Sequence, residues 1–102
     1  MSDTIVDKSV YGEISSKVRE HLCSVLGANT VKSIEYYICR GTSVEYAYSD
    51  AARLHDGLKR LFGDASNILI KEIIDMLCTE YGLYVSDTNL EHVIKLIIDK
   101  GK

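Results

Sequence analysis

The stretch from Leu54 to Gly82, LHDGLKRLFGDASNILIKEIIDMLCTEYG, constrains this chain more than any other, because it joins two apolar helical periods through one break signal. Phe62-Gly63-Asp64 is that break. Gly63 can take the left-handed conformation that closes a helix without a Cβ penalty, and Asp64 offers an oxygen to the unpaired N–H groups opening the next. Before it, Ala51, Leu54, Leu58, Leu61 and Phe62 recur at helical spacing, with Arg53, Asp56, Lys59 and Arg60 facing outward. After it, from Ala65 to Tyr81, apolar side chains wrap more than half the circumference and leave Asn67, Lys71, Asp75 and Thr79 as a polar strip. A helix wrapped in this way must be covered on several sides. It is expected to be the centre of a bundle or to serve an oligomer interface, with Ile70 and Met76 as interface candidates.

Proline is absent, so glycines and short polar caps mark the remaining boundaries. Val10, Ile14, Val18, Leu22 and Val25 define a first helix ending at Leu26-Gly27, and residues 1–8 are expected to fray. Asn29 or Thr30 is placed to cap a second, short helix carrying Val31, Ile34 and Ile38 and ending near Arg40. Residues 43–49 are ambiguous. Val44, Tyr46 and Tyr48 alternate at strand period, whereas Thr42-x-x-Glu45 is a capping box that could start one helix running to residue 62. A loop followed by a helix starting at Ser49 or Asp50 is the favoured solution. Gly82 ends the central helix, and Thr88-x-x-Glu91 is a second capping box opening a last helix that carries Leu90, Val93, Ile94, Ile97 and Ile98. The predicted fold is all-α, one domain over residues 1–102, a compact bundle of about five helices.

Twelve basic and fifteen acidic residues leave a net charge of -3, which argues against binding nucleic acid through phosphate neutralisation. The basic groupings Lys17/Arg19 and Lys59/Arg60 are diluted by Glu13, Glu20, Asp56 and Asp64, as on a solvated face. The N-terminal residues lack a basic flank followed by an apolar run, and no stretch approaches the ~18 apolar residues of a membrane span. Cys23, Cys39 and Cys78 are an odd number without CxxC spacing, as suits reduced thiols. A cytoplasmic chain is expected.

The order of signals resembles the small archaeal helical family called the Nitrosopumilus output domain, fifth type. Carrying the resemblance are Leu26-Gly27, then Val31-Lys32-Ser33-Ile34-Glu35-Tyr36-Tyr37, then Leu58-Lys59-Arg60-Leu61-Phe62-Gly63-Asp64-Ala65-Ser66-Asn67-Ile68-Leu69, and a closing Tyr81-Gly82-Leu83. It spans roughly residues 22 to 85. The resemblance implies a helical module found alone or fused to sensory domains in archaeal signalling chains, with no catalytic residue to carry over.

Among residues with chemistry, His21, His55 and His92 lie on three different predicted helices, and none has a second ligand at i, i+3 or i, i+4. The pairs Asp56/Asp64 and Glu72/Asp75 have the spacing of surface charges, and hydrolase, P-loop and dinucleotide motifs are missing. The expectation is a non-enzyme without cofactor or metal. Tyrosine is the compositional excess, with seven, and it suits interfaces by joining an apolar body to a polar tip. Tyr36, Tyr46, Tyr48 and Tyr84 are the predicted partner-binding residues. The expected function is a protein-interaction or signalling output module that self-associates as a homodimer and meets a further protein partner. The alternative is a transcription-associated DNA binder in which the helices around Gly63-Asp64 imitate a helix-turn-helix.

Overall fold

Apolar residues at steps of three and four produce helices throughout. The computed structural model describes the backbone of residues 2–41, 43–84 and 89–100, and the side chains from Val10 onward apart from those of residues 44, 45 and 100. Helix α1 (Ser2–Leu26) buries Ile14, Val18 and Leu22 and runs uninterrupted through Gly12. One residue then reverses the chain: Gly27, at φ 90°, donates its N–H to Cys23 O (2.9 Å), and its own carbonyl accepts from Val31 N (3.1 Å). Helix α2 (Ala28–Ile38) therefore starts ahead of Asn29 and Thr30, neither of which is its cap.

Residues 43–49 are neither strand nor part of a long helix. They form a single helical turn, α3 (Val44–Ala47), closed by the Ala47 N–H on Ser43 O (3.0 Å) and followed by an extended Asp50 at φ -92° and ψ 98°. Thr42, of the expected capping box, lies outside the described residues. The Asp50 carboxylate accepts the Arg53 N–H (3.2 Å), so α4 (Ala51–Phe62) begins at the expected cap. Gly63 closes it at φ 59°. Asp64 is not the cap of the next helix: residues 63–65 form a 3₁₀ turn, and the Asp64 backbone carbonyl accepts from Ser66 N. Backbone bonding thus passes from one helix into the other, and the side-chain cap has no vacancy to fill.

Helix α5 (Ser66–Tyr81) ends at the left-handed Gly82, and α6 (Leu90–Lys100) is capped by Asn89, whose Oδ1 accepts from Glu91 N (3.0 Å) and His92 N (3.4 Å). The expected cap Thr88 lies outside the described residues. The radius of gyration, 13.1 Å, is that of one compact domain of this length. Among the described residues there is no strand, and no helix is long and apolar enough to cross a membrane.

Helix α5 is not the single centre expected of it: α1, which meets α2, α3, α5 and α6, shares that place, and Ile68 leaves part of α5 open. Helix α5 packs against α1, α4 and α6 and buries Leu69, Ile70, Ile73, Ile74 and Leu77, while α2 rests on α1 and α4. The α2–α4 crossing is unusually close, because Gly57 presents only hydrogen where a Cβ would stand 2.4 Å from Ile38 Cγ2. Gly57 is a buried contact inside α4 and ends no helix.

Candidate functional site

The four predicted interface tyrosines do not share one surface. Tyr48 is 0% exposed: its ring enters the core beyond α3, and its hydroxyl donates to Glu35 Oε2 at 2.8 Å. It is a core residue, and its assignment to a partner surface is corrected on that ground. Tyr46 stands at the exposed edge of α3, and Tyr84, 99% exposed, flanks Asp75, Cys78 and Thr79 beyond the end of α5. Tyr36 is 68% exposed on α2. Of the two interface candidates on α5, Ile70 is covered by its own chain, beside Ala51, His55 and Leu90, and leaves the interface for that reason. Met76 is half-buried on the strip of α5 that other helices leave open.

Tyr36 belongs to a preformed cluster. Its ring meets Tyr37 edge to face, with centroids 5.3 Å apart and planes at 89°. The Arg40 guanidinium lies 5.4 Å from the Tyr36 centroid and 5.8 Å from that of Tyr37. Tyr36 and Tyr37 lie in the last turn of α2, and Arg40 folds back over both from the turn that follows the helix. Each contact is worth about 0.5–1 kcal/mol at an exposed site, and together they favour this arrangement of the Tyr36 side chain.

Beside the cluster, α2 and α4 enclose a recess of about 410 Å³, lined by Tyr37, Arg40, Asp50, Arg53, Asp56 and Arg60 among others. Three of the four arginines in the chain are gathered here. Arg53 ties the α2 C-terminus to α4: its Nη1 donates to Ile38 O (3.2 Å) and to Arg40 O, and its Nε lies 3.6 Å from Asp50 Oδ2. Arg60 pairs with Asp56 at 3.0 Å. Arg40 has no carboxylate partner among the described residues. The signal for this surface was the Tyr-Tyr-x-x-Arg spacing of residues 36 to 40, together with Arg53 and Arg60 on one side of the next long helix.

Two polar ties hold the scaffold. Glu35 Oε2 accepts from Arg19 Nε of α1 at 2.7 Å as well as from Tyr48. Burial, then the bond to Glu35, raises the Tyr48 phenol well above its ordinary range; burial, then the negative charge of Glu35, raises the Cys39 thiol. Between α1 and α5 the Tyr81 hydroxyl donates to Glu13 Oε1 at 2.6 Å, and Lys17 reaches Glu80 at 3.3 Å. Burial and Glu13 raise the Tyr81 phenol likewise.

The histidines stay apart. His21 lines a groove between α1 and α5, His55 faces a recess between α4 and α6, and His92 is exposed on α6. Among the described residues no group of three or more His, Cys, Asp or Glu is placed to hold a metal ion. Neither a protein-family model, nor a curated protein, nor a solved structure matches the chain.

Proposed function

We propose that this chain is a non-enzymatic helical interaction or signalling output module, acting in the cytoplasm as a homodimer joined through the Tyr36–Tyr37–Arg40 face. One observation carries this: an exposed tyrosine packed against a second ring and an arginine, in a domain whose core is filled without it. Tyrosine and arginine dominate interface hot spots, and a side chain already ordered loses little entropy on binding. The neighbouring recess carries both signs, with Arg40, Arg53 and Arg60 among Asp50 and Asp56. Under a twofold axis such a surface can meet itself, with Arg40 of one copy, which has no carboxylate partner among the described residues, facing the edge of the Asp50 and Asp56 pairs of the other.

A helical signalling module without catalytic residues is what the resemblance to the archaeal output domain implies. DNA binding through the corner at Gly63-Asp64 is the weaker alternative. Helix α5 is occupied by α1, α4 and α6, and its open strip bears Glu72 and Asp75, which repel phosphate.

Sedimentation equilibrium on the full chain at micromolar concentration tests the proposal. A dimer is expected, weakened by Tyr36→Ala by about 2 kcal/mol, or about thirtyfold in dissociation constant. A wild-type chain that stays monomeric, or a dimer indifferent to both Tyr36→Ala and Arg40→Ala, refutes it.

A further inference from the structure

A second surface differs in kind from the tyrosine face. Lys17 meets Glu80 and Glu13 meets Tyr81, whereas His21 and Val25, further along α1, share a groove with Met76 and Glu72, further back along α5. The two helices therefore run antiparallel, with a shallow groove of about 410 Å³ between them. Its apolar lining is Val25, 50% exposed, and the half-buried Met76; beyond the groove, one turn before Glu72 on the same face, Ile68 is 64% exposed. The rim of the groove is acidic, with Glu72, Asp75 and Glu80. Glu80 is bridged to Lys17, but Glu72 and Asp75 have no ion-pair partner among the described residues. At the α1 wall, His21 Nε2 is shielded from water and lacks a hydrogen-bond partner among the described residues.

We propose that this groove docks a cationic amphipathic helix of another protein. Charge decides the occupant. A second copy offering the same groove would set Glu72 and Asp75 against their own kind, and nucleic acid or an anionic lipid surface meets the same repulsion. Lysine or arginine flanking an apolar stripe complements both the rim and the apolar lining. Length follows from the α5 wall: Glu72 to Glu80 advances about 12 Å at ~1.5 Å per residue, so the guest contributes about two turns, with apolar anchors at i, i+3 or i+4, and i+7.

Titrating the ¹⁵N-labelled full chain with a synthetic lysine–leucine peptide of about 12 residues, its leucines on one helical face, tests this by amide shifts. Shifts concentrated on residues 21–26 and 72–80 are expected. Binding should weaken about tenfold when the same leucines are dispersed around the helix, and about tenfold in the Glu72→Lys/Asp75→Lys variant, whose substitutions are exposed. Shifts scattered over other acidic faces, equal binding of the dispersed peptide, or indifference to the double substitution each overturn the proposal. Concentration-dependent shifts in the groove without peptide do so too, because they place a second copy there. Tyr36→Ala should leave the titration unchanged, so failure here and failure of the homodimer are read separately.

Discussion

Replacing Gly57 by alanine pits a local gain against a tertiary loss of known geometry. Alanine in a helix interior is favoured over glycine by about 1 kcal/mol, so in an isolated α4 the substitution stabilises. In the folded chain the new Cβ would stand 2.4 Å from Ile38 Cγ2 and 3.6 Å from Tyr37 Cβ, the first more than 1 Å inside the ~3.5–4.0 Å of a favourable carbon–carbon contact. Ile38 is fully buried and branched at Cβ, so its methyl cannot swing aside, and α2 must move away from α4. Overpacking of this kind costs about 1–3 kcal/mol, and the depth of the overlap places it near the upper end, for a net loss of about 2 kcal/mol. With a urea slope of about 1.5 kcal/mol per molar for a domain this size, the midpoint should fall by about 1.3 M, followed by circular dichroism at one protein concentration. Gly12→Ala is the internal control. A Cβ there meets nothing within 4 Å, so the same substitution should raise the midpoint by about 0.7 M. Ile38→Leu moves the branch off Cβ and should restore about 1 kcal/mol to the Gly57→Ala variant, a coupling that a double-mutant cycle measures. A Gly57→Ala chain as stable as wild type would refute the close crossing of α2 and α4.

Two other consequences concern caps and protons. Asp50→Ala should cost about 1 kcal/mol in denaturant midpoints while Asp64→Ala stays within about 0.5, because only Asp50 accepts a backbone N–H opening a helix; equal costs would contradict the 3₁₀ corner. Tyr48 and Tyr81 keep phenolic protons in the folded chain that the unfolded chain releases above about pH 10. Their contribution is therefore present in full below that pH and is lost as pH rises past it, with Cys39 adding the same sign through its raised thiol. Urea midpoints between about pH 8 and 11.5 should decline less steeply in a Tyr48→Phe/Tyr81→Phe variant; an unchanged slope would show that neither phenol is held protonated by the fold.

Much of the architecture was legible because it is local. The seams of Val31, Ile34 and Ile38, of Leu54 and Leu58, and of Val93, Ile94 and Ile97 are helical periods, and all are buried. Gly63 and Gly82 stop helices at positive φ for a reason internal to the backbone. Tertiary contacts made the rest opaque. Tyr48 alternates like a strand residue but turns inward to Glu35, thirteen positions earlier. Gly57 is needed only because Ile38 lies across from it, and Ile70 is covered by residues from both α4 and α6. The Arg40 cluster follows i, i+3 and i, i+4 spacing across the C-terminal end of α2 and was within reach of sequence, but the gathering of Arg53 and Arg60 beside it required knowing where α4 packs.

The single oxygen that Glu35 offers to both Arg19 and Tyr48 also shapes how this chain can change over generations. Losing any one of the three groups strands the others: a carboxylate without its cation, or a buried phenol without its acceptor. Exchanging all three together leaves nothing stranded, with position 19, whose side chain is 42% exposed, free to take any residue that tolerates water. Positions 19, 35 and 48 therefore sit on either side of a fitness valley whose single-step paths are each unfavourable. Descendants of this sequence should keep the trio together or abandon it together, and a relative carrying only two of the three should show a compensating polar group within reach of the missing one.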